Sequence, residues 1–256
     1  GRAGTFADRY HATAVAFMMN NVLPARVGEV VRALFLVRRE PGLTVSGAVA
    51  SVLVCRLLDL SALLTLLLVA PLLGDLPEEA AGWVRLTAAM AGASLALLGA
   101  AALAVARLGP RLTSAPVWVR SFSERLRAAG SAVGIAAAYG LSVAVMAVNA
   151  AAYSAALAAF GAQVPLAAGG TIVLVAVCIG VSAPSAPSGI GTYQLAAVWA
   201  VAALGGRAEA AAAVGLVSHA SWLGAVVAAG LTSLAAREFG LRDLLGRRGR
   251  EAETAP

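Results

Sequence analysis

Apolar residues run along this chain in long blocks, with polar residues and turn formers gathered mainly between them. Four blocks, 45–73, 83–106, 131–160 and 208–236, each reach or exceed the roughly 20 residues an α-helix needs to cross a hydrocarbon core about 30 Å thick. Each therefore predicts a membrane-spanning helix. Two further apolar regions are interrupted. Residues 10–37 divide at Pro24 into a run from Tyr10 to Leu23 and a second from Val27 to Val37. The first run gives only about 21 Å of helix, too short to span alone. Residues 166–204 divide at Ser182-Ala183-Pro184-Ser185-Ala186-Pro187-Ser188-Gly189-Ile190-Gly191.

The positions of arginine orient these elements. Arg2 and Arg9 stand before the first broken unit, and Arg38 and Arg39 after it. Basic residues at both ends favour a re-entrant hairpin over one kinked span. Residues 107–127 are again basic, and Trp118, Phe122 and Leu126 recur there at helical spacing. An interfacial amphipathic helix over 116–128 fits that pattern, an ordinary solvated connector being the other reading. Residues 237–256 carry Arg237, Arg242, Arg247, Arg248 and Arg250 and read as a cytoplasmic tail. The acidic turn at Asp75, Glu78 and Glu79 then falls outside. Between Arg127 and Arg207 nothing basic pins the second break to the cytoplasm, so it enters from outside. The expected fold is an all-α polytopic membrane protein. It is a helical bundle over 1–236 with two broken or re-entrant helix pairs related as inverted-topology repeats. In the second half a span precedes the broken pair. The first half lacks that span, and the chain opens on Gly1, so sequence upstream of Gly1 is expected.

Composition supports the membrane reading and removes other classes. Of 256 residues, 60% are hydrophobic and 12% charged, against about 25% charged in an average soluble chain. The net charge of +6 comes from 19 basic residues, all arginine, and their placement at the ends of apolar blocks is a topology signal. Nucleic acid is not an expected partner. Cys55 and Cys178 lie inside apolar runs and read as buried small hydrophobes outside any disulfide framework.

The candidate chemistry lies in the interruptions. Arg26, Glu29 and Arg32 step by three along one helix, and Arg56 and Asp59 by three along another. One cluster would hold three positive and two negative charges, and the leftover positive charge suits a phosphate. An arginine alone at the bilayer centre costs several kcal/mol or more on most scales, which pairing reduces. The helices that follow the two breaks begin near Val27 and Thr192. They would aim free backbone N–H groups inward, with Gly189 and Gly191 allowing close approach. The other reading is that these charges pair only with one another and hold helices together. His219, between Ser218 and Ser221, reads as a histidine hydrogen-bonded to a neighbouring helix, with a proton relay as the rarer use. His11 has no partner that the sequence names. No residue set has metal-ligand spacing, no glycine-rich loop ends in lysine, and no nucleophile stands with a base. Neither cofactor, metal nor catalysis is expected.

Three motif blocks carry a family resemblance. The run Asn21-Val22-Leu23-Pro24-Ala25-Arg26-Val27-Gly28-Glu29 with Arg32, then Arg56-Leu57-Leu58-Asp59, then Pro187-Ser188-Gly189-Ile190-Gly191 with Gln194 resemble, in that order, the lysylphosphatidylglycerol synthase transmembrane region, a flippase-like membrane family. The resemblance covers nearly the whole chain. It implies a lipid-headgroup site drawn from Arg26, Gly28, Glu29, Arg32, Arg56, Asp59, Pro187, Ser188, Gly189, Gly191 and Gln194, and one or two helices upstream of Gly1. Ser188 stands where the family usually has glycine, and Gln194 where it has glutamate, which removes a charge. Family members fused to a soluble aminoacyltransferase domain make and translocate aminoacylated phosphatidylglycerol; the arginine-rich residues 237–256 do not resemble such a domain.

The expected function is that of a lipid translocase, moving an anionic, aminoacylated or polyprenyl-linked lipid between leaflets of the cytoplasmic membrane. The headgroup would occupy a polar cavity between the two broken units while the acyl chains stay in lipid. Membrane lipids are the expected partners, with no oligomeric state indicated. Two other functions remain open: a non-catalytic scaffold for a lipid-modifying or glycosyltransferase enzyme, and a small-solute secondary transporter.

Overall fold

The computed structural model describes residues 5–23, 27–39, 43–108, 132–182 and 186–236. The expected interfacial helix at 116–128, the tail at 237–256 and Arg26 lie outside the described residues. Every regular element among those described is helical, and none is a strand. In chain order they are α1 (Phe6–Val22), α2 (Val27–Arg39), α3 (Val45–Val69), α4 (Glu78–Leu108), α5 (Ala132–Ala159), α6 (Leu166–Gly180), α7 (Thr192–Ala203) and α8 (Ala208–Ala236). Short 3-10 turns occupy Ala70–Leu72 and Pro187–Gly189. Three stretches, Val45–Leu72, Val133–Ala159 and Ala208–Ala236, are long and apolar enough to cross a bilayer, each about 40 Å as helix. The chain is thus an all-α polytopic membrane protein. Its outward positions agree: Leu53, Leu60, Leu141, Val148, Leu216 and Leu231 are all exposed, as suits helices solvated by acyl chains.

The chain forms two compact units, Gly1–Val45 with Trp222–Pro256, and Ser46–Ser221. In the first, α1 starts at a capping box. Asp8 N–H donates to Thr5 Oγ1 at 3.2 Å, and Thr5 N–H donates back to Asp8 Oδ2 at 3.0 Å, so two of the helix's free N-terminal donors are satisfied. Helix α2 folds back against α1. Gly28 makes that approach possible: a β-carbon there would stand 1.9 Å from Ala16 O and 2.7 Å from Asn20 Oδ1. Farther along the chain, Gly230 of α8 lies against Met18 of α1.

In the second unit, α6 packs on α5 and α7 packs on α6. Their shared core consists of Leu157, Val173, Val177, Tyr193, Ala197, Ala200 and Val201, closed by Ala210, Ala211 and Val214 from the start of α8. Alanine at so many contact positions lets the helix backbones come close, the usual basis of helix association in lipid. Helix α3 joins through Leu67, which packs with Val175 of α6. Helices α6 and α7, of 15 and 12 residues, measure about 22 and 18 Å and neither alone matches the bilayer core. Cys55 corrects one expectation. It is exposed, whereas Cys178 is half-buried; on a lipid-facing helix surface a small apolar side chain gains nothing by turning inward.

Candidate functional site

The second break is a built polar site. Pro187–Gly189 form a single 3-10 turn, after which Gly191 caps α7. Ser188 has φ 63°, and Gly189 and Gly191 have φ 71° and 91°, so the chain reverses through left-handed conformations that only glycine adopts without strain. Ser188 is held there by α8. Its carbonyl oxygen and its Oγ both lie 3.1 Å from His219 Nε2. The opposite ring nitrogen, Nδ1, stands 2.8 Å from Gln194 Nε2, while Gln194 Oε1 accepts the Gly191 N–H at 2.8 Å. Tyr193 stacks on the imidazole with ring centres 4.2 Å apart and planes within 10° of parallel. Its hydroxyl meets that of Tyr153 on α5 at 2.6 Å. His219 is 3% exposed.

The hydrogen bonds fix the state of the ring. Gly191 N–H is a donor, so the Gln194 atom it meets is the amide oxygen, and the other atom is the NH2 group. That NH2 donates to Nδ1, which is therefore unprotonated, and Nε2 carries the hydrogen aimed at Ser188. The site holds a neutral imidazole in one tautomer, wedged between the turn and the first turn of α7.

Arg56 and Asp59 sit on α3 in the same unit, on one face and 3.7 Å apart. At that distance they form an ion pair without a short hydrogen bond. Asp59 has a second partner, since Ser142 Oγ on α5 donates to its Oδ1 at 3.0 Å. Farther along the same seam, the hydroxyls of Thr65 and Tyr139 are hydrogen-bonded. Arg56 and Asp59 keep 44% and 36% of their side-chain surface exposed, so the carboxylate is tied to α5 and the guanidinium remains accessible.

In the first unit, Glu29 opens α2, and its Oε1 accepts from Asn20 Nδ2 of α1 at 3.5 Å. Arg32 lies one turn farther along and is half-buried. Asn20 Oδ1 is buried without a hydrogen-bond partner among the described residues, pressed against Gly28.

Of the residues singled out by sequence, Pro187, Ser188, Gly189, Gly191 and Gln194 come together at one turn. Arg56 and Asp59 form their own pair, and Glu29 follows Gly28 on α2. His219, Tyr193, Tyr153, Ser142 and Asn20 join these residues in the structure, beyond those that sequence alone assigns to the site. An ionisable residue inside an apolar span was the available signal for His219; the tyrosines and Ser142 carried none, because only helix packing brings them to their partners.

Compared with known protein families, residues 1–245 match the model described as "Lysylphosphatidylglycerol synthase TM region". No curated protein and no solved structure gives a significant match.

Proposed function

The chain belongs to the lysylphosphatidylglycerol synthase transmembrane-region family, and we propose that it is a flippase-like translocase without catalytic activity of its own. It moves an anionic, aminoacylated or polyprenyl-linked lipid between the leaflets of the cytoplasmic membrane. The observation that carries this reading is the polar turn at Ser188 to Gln194, anchored by the buried Ser188 and His219, which interrupts the backbone inside an apolar membrane sequence. Broken backbone at membrane depth is tolerated where protein satisfies it or where a polar cavity adjoins it, and transporters place substrate sites at such breaks. Arg26, Glu29, Arg32, Arg56 and Asp59 supply charge for a phosphate-bearing headgroup in this reading, and the acyl chains remain in the hydrocarbon. The two broken helix pairs act as inverted repeats that open alternately to either side.

The test is a leaflet assay in proteoliposomes with fluorescent phosphatidylglycerol, scored by chemical quenching of the outer leaflet. The parent protein should equilibrate the label, and Arg56→Ala and Arg32→Ala should each slow it at least tenfold. Unchanged rates in both variants sink the headgroup site. A parent with no translocation that co-purifies with a lipid-modifying enzyme is a scaffold instead.

A further inference from the structure

We propose that His219 is a proton-binding site whose occupancy uncaps helix α7. Proton binding adds H⁺ to Nδ1, the one ring nitrogen that accepts a hydrogen bond here. The resulting N–H would face the NH2 of Gln194, donor against donor. The conflict is relieved when the Gln194 amide turns over, so that Oε1 accepts from Nδ1–H. That rotation withdraws Oε1 from Gly191 N–H and presents a donor to a donor there. The reciprocal half of the capping arrangement at the start of α7 is lost. Contact with Ser188 persists through both states, because Nε2 keeps its hydrogen. Protonation therefore acts on one end of the site, the first turn of α7, while the ring stays anchored at the other.

At 3% exposure a charged ring gives up its hydration, and its contacts have to replace it. Among the described residues of its unit, titratable groups placed around the ring include Tyr193 of α7, stacked on its face, Tyr153 of α5, bonded to the Tyr193 hydroxyl, and Cys178 of α6, within electrostatic reach of both tyrosines. All three are neutral at ordinary pH. The Tyr193 π-face attracts a cation lying against it, so it favours the imidazolium without a carboxylate. Gln194 is the determinant. An amide can serve either state by rotation, at the cost of one capping bond. A glutamate at this position would accept from Nδ1–H and favour the charged ring.

The inference rests on the translocation reading only for its use, as a proton input to the moving element; the site itself stands without it. The experiment is nitrogen NMR on the protein in neutral maltoside micelles, with ¹⁵N-labelled histidine, glutamine and glycine and with His11→Gln leaving one histidine. At pH 8 the ring should show an unprotonated Nδ1 and a protonated Nε2. On acidification both nitrogens should move to imidazolium positions, and the Gly191 amide and Gln194 side-chain signals should shift with the same midpoint. Gln194→Glu should raise that midpoint by a pH unit or more. A ring protonated at Nδ1 at pH 8 overturns the proposal. So does a ring that stays neutral to pH 5, or one that titrates while Gly191 and Gln194 stand still. No lipid flux enters this measurement, so its failure leaves the translocase reading intact, and a failed leaflet assay leaves the proton site intact.

Discussion

Ser188 is the residue where backbone and side chain make opposite demands. Its φ of 63° lies in the left-handed region, which costs an L-residue about 1–2 kcal/mol relative to glycine. Glycine is thus the residue the backbone of this turn asks for. Serine is accommodated because its carbonyl oxygen and its Oγ both reach His219, and one such hydrogen bond is worth about 1 kcal/mol net. The two contributions nearly cancel for glycine. Ser188→Gly should stay within about 1 kcal/mol of the parent in detergent thermal unfolding. Ser188→Val keeps the strain, adds a branched β-carbon that the left-handed region tolerates poorly, and loses the hydroxyl; it should be less stable by about 2 kcal/mol or more. A glycine variant as unstable as the valine variant would show that the hydroxyl, and not the backbone, governs this position. Gly28 is a simpler case. No side chain at all fits there, because the α1 backbone at Ala16 already fills the place of its β-carbon.

Between elements, the seam of α3 with α5 holds the Arg56–Asp59 ion pair within an apolar span, and the hydrogen bond of Ser142 to Asp59 ties it across helices. A double-mutant cycle of Asp59→Ala with Ser142→Ala should give a coupling of about 0.5–1.5 kcal/mol in unfolding free energy. The same cycle with Thr65 in place of Asp59 should give none, since Thr65 bonds to Tyr139 instead. Coupling absent in both cycles would mean that the seam is held by van der Waals packing alone. These elements also show what could be read beforehand. The ends of α6 and α7 were legible because proline and glycine cannot continue a helix, and the long apolar blocks because hydrocarbon demands them. The Arg56 and Asp59 spacing gave their shared face. Their partner Ser142 was not legible, because hydroxyls occur on every face of α5 and only the rotation of that helix selects one. His219 stands out in the sequence as ionisable, but its link to Gln194 depends on the register of α8 against α7, which Gly215 sets by lying against Gln194 and Ala197.

For the whole molecule, α8 carries the clearest topological commitment. It is a continuous helix of 29 residues, about 43 Å long, so if it crosses the bilayer its two ends must lie on opposite faces. Five arginines follow it within residues 237–250, and a single arginine, Arg207, precedes it. Arg207 is exposed and paired with Glu209 at 2.7 Å. Five basic residues outweigh one under the positive-inside rule, and we predict from this a cytoplasmic tail with Arg207 on the outer side. On that prediction the acidic turn at Asp75 lies outside as well. In a background with Cys55 and Cys178 replaced by alanine, a membrane-impermeant maleimide should label Asp75→Cys and Arg207→Cys in intact cells, and Arg250→Cys only after lysis. Labelling of Arg250→Cys alone in intact cells would invert the orientation and leave the spanning role of α8 in place. Labelling of Arg207→Cys and Arg250→Cys from the same side would remove that role, and with it the assignment of His219 to membrane depth, because the proton site lies close to the middle of this one helix.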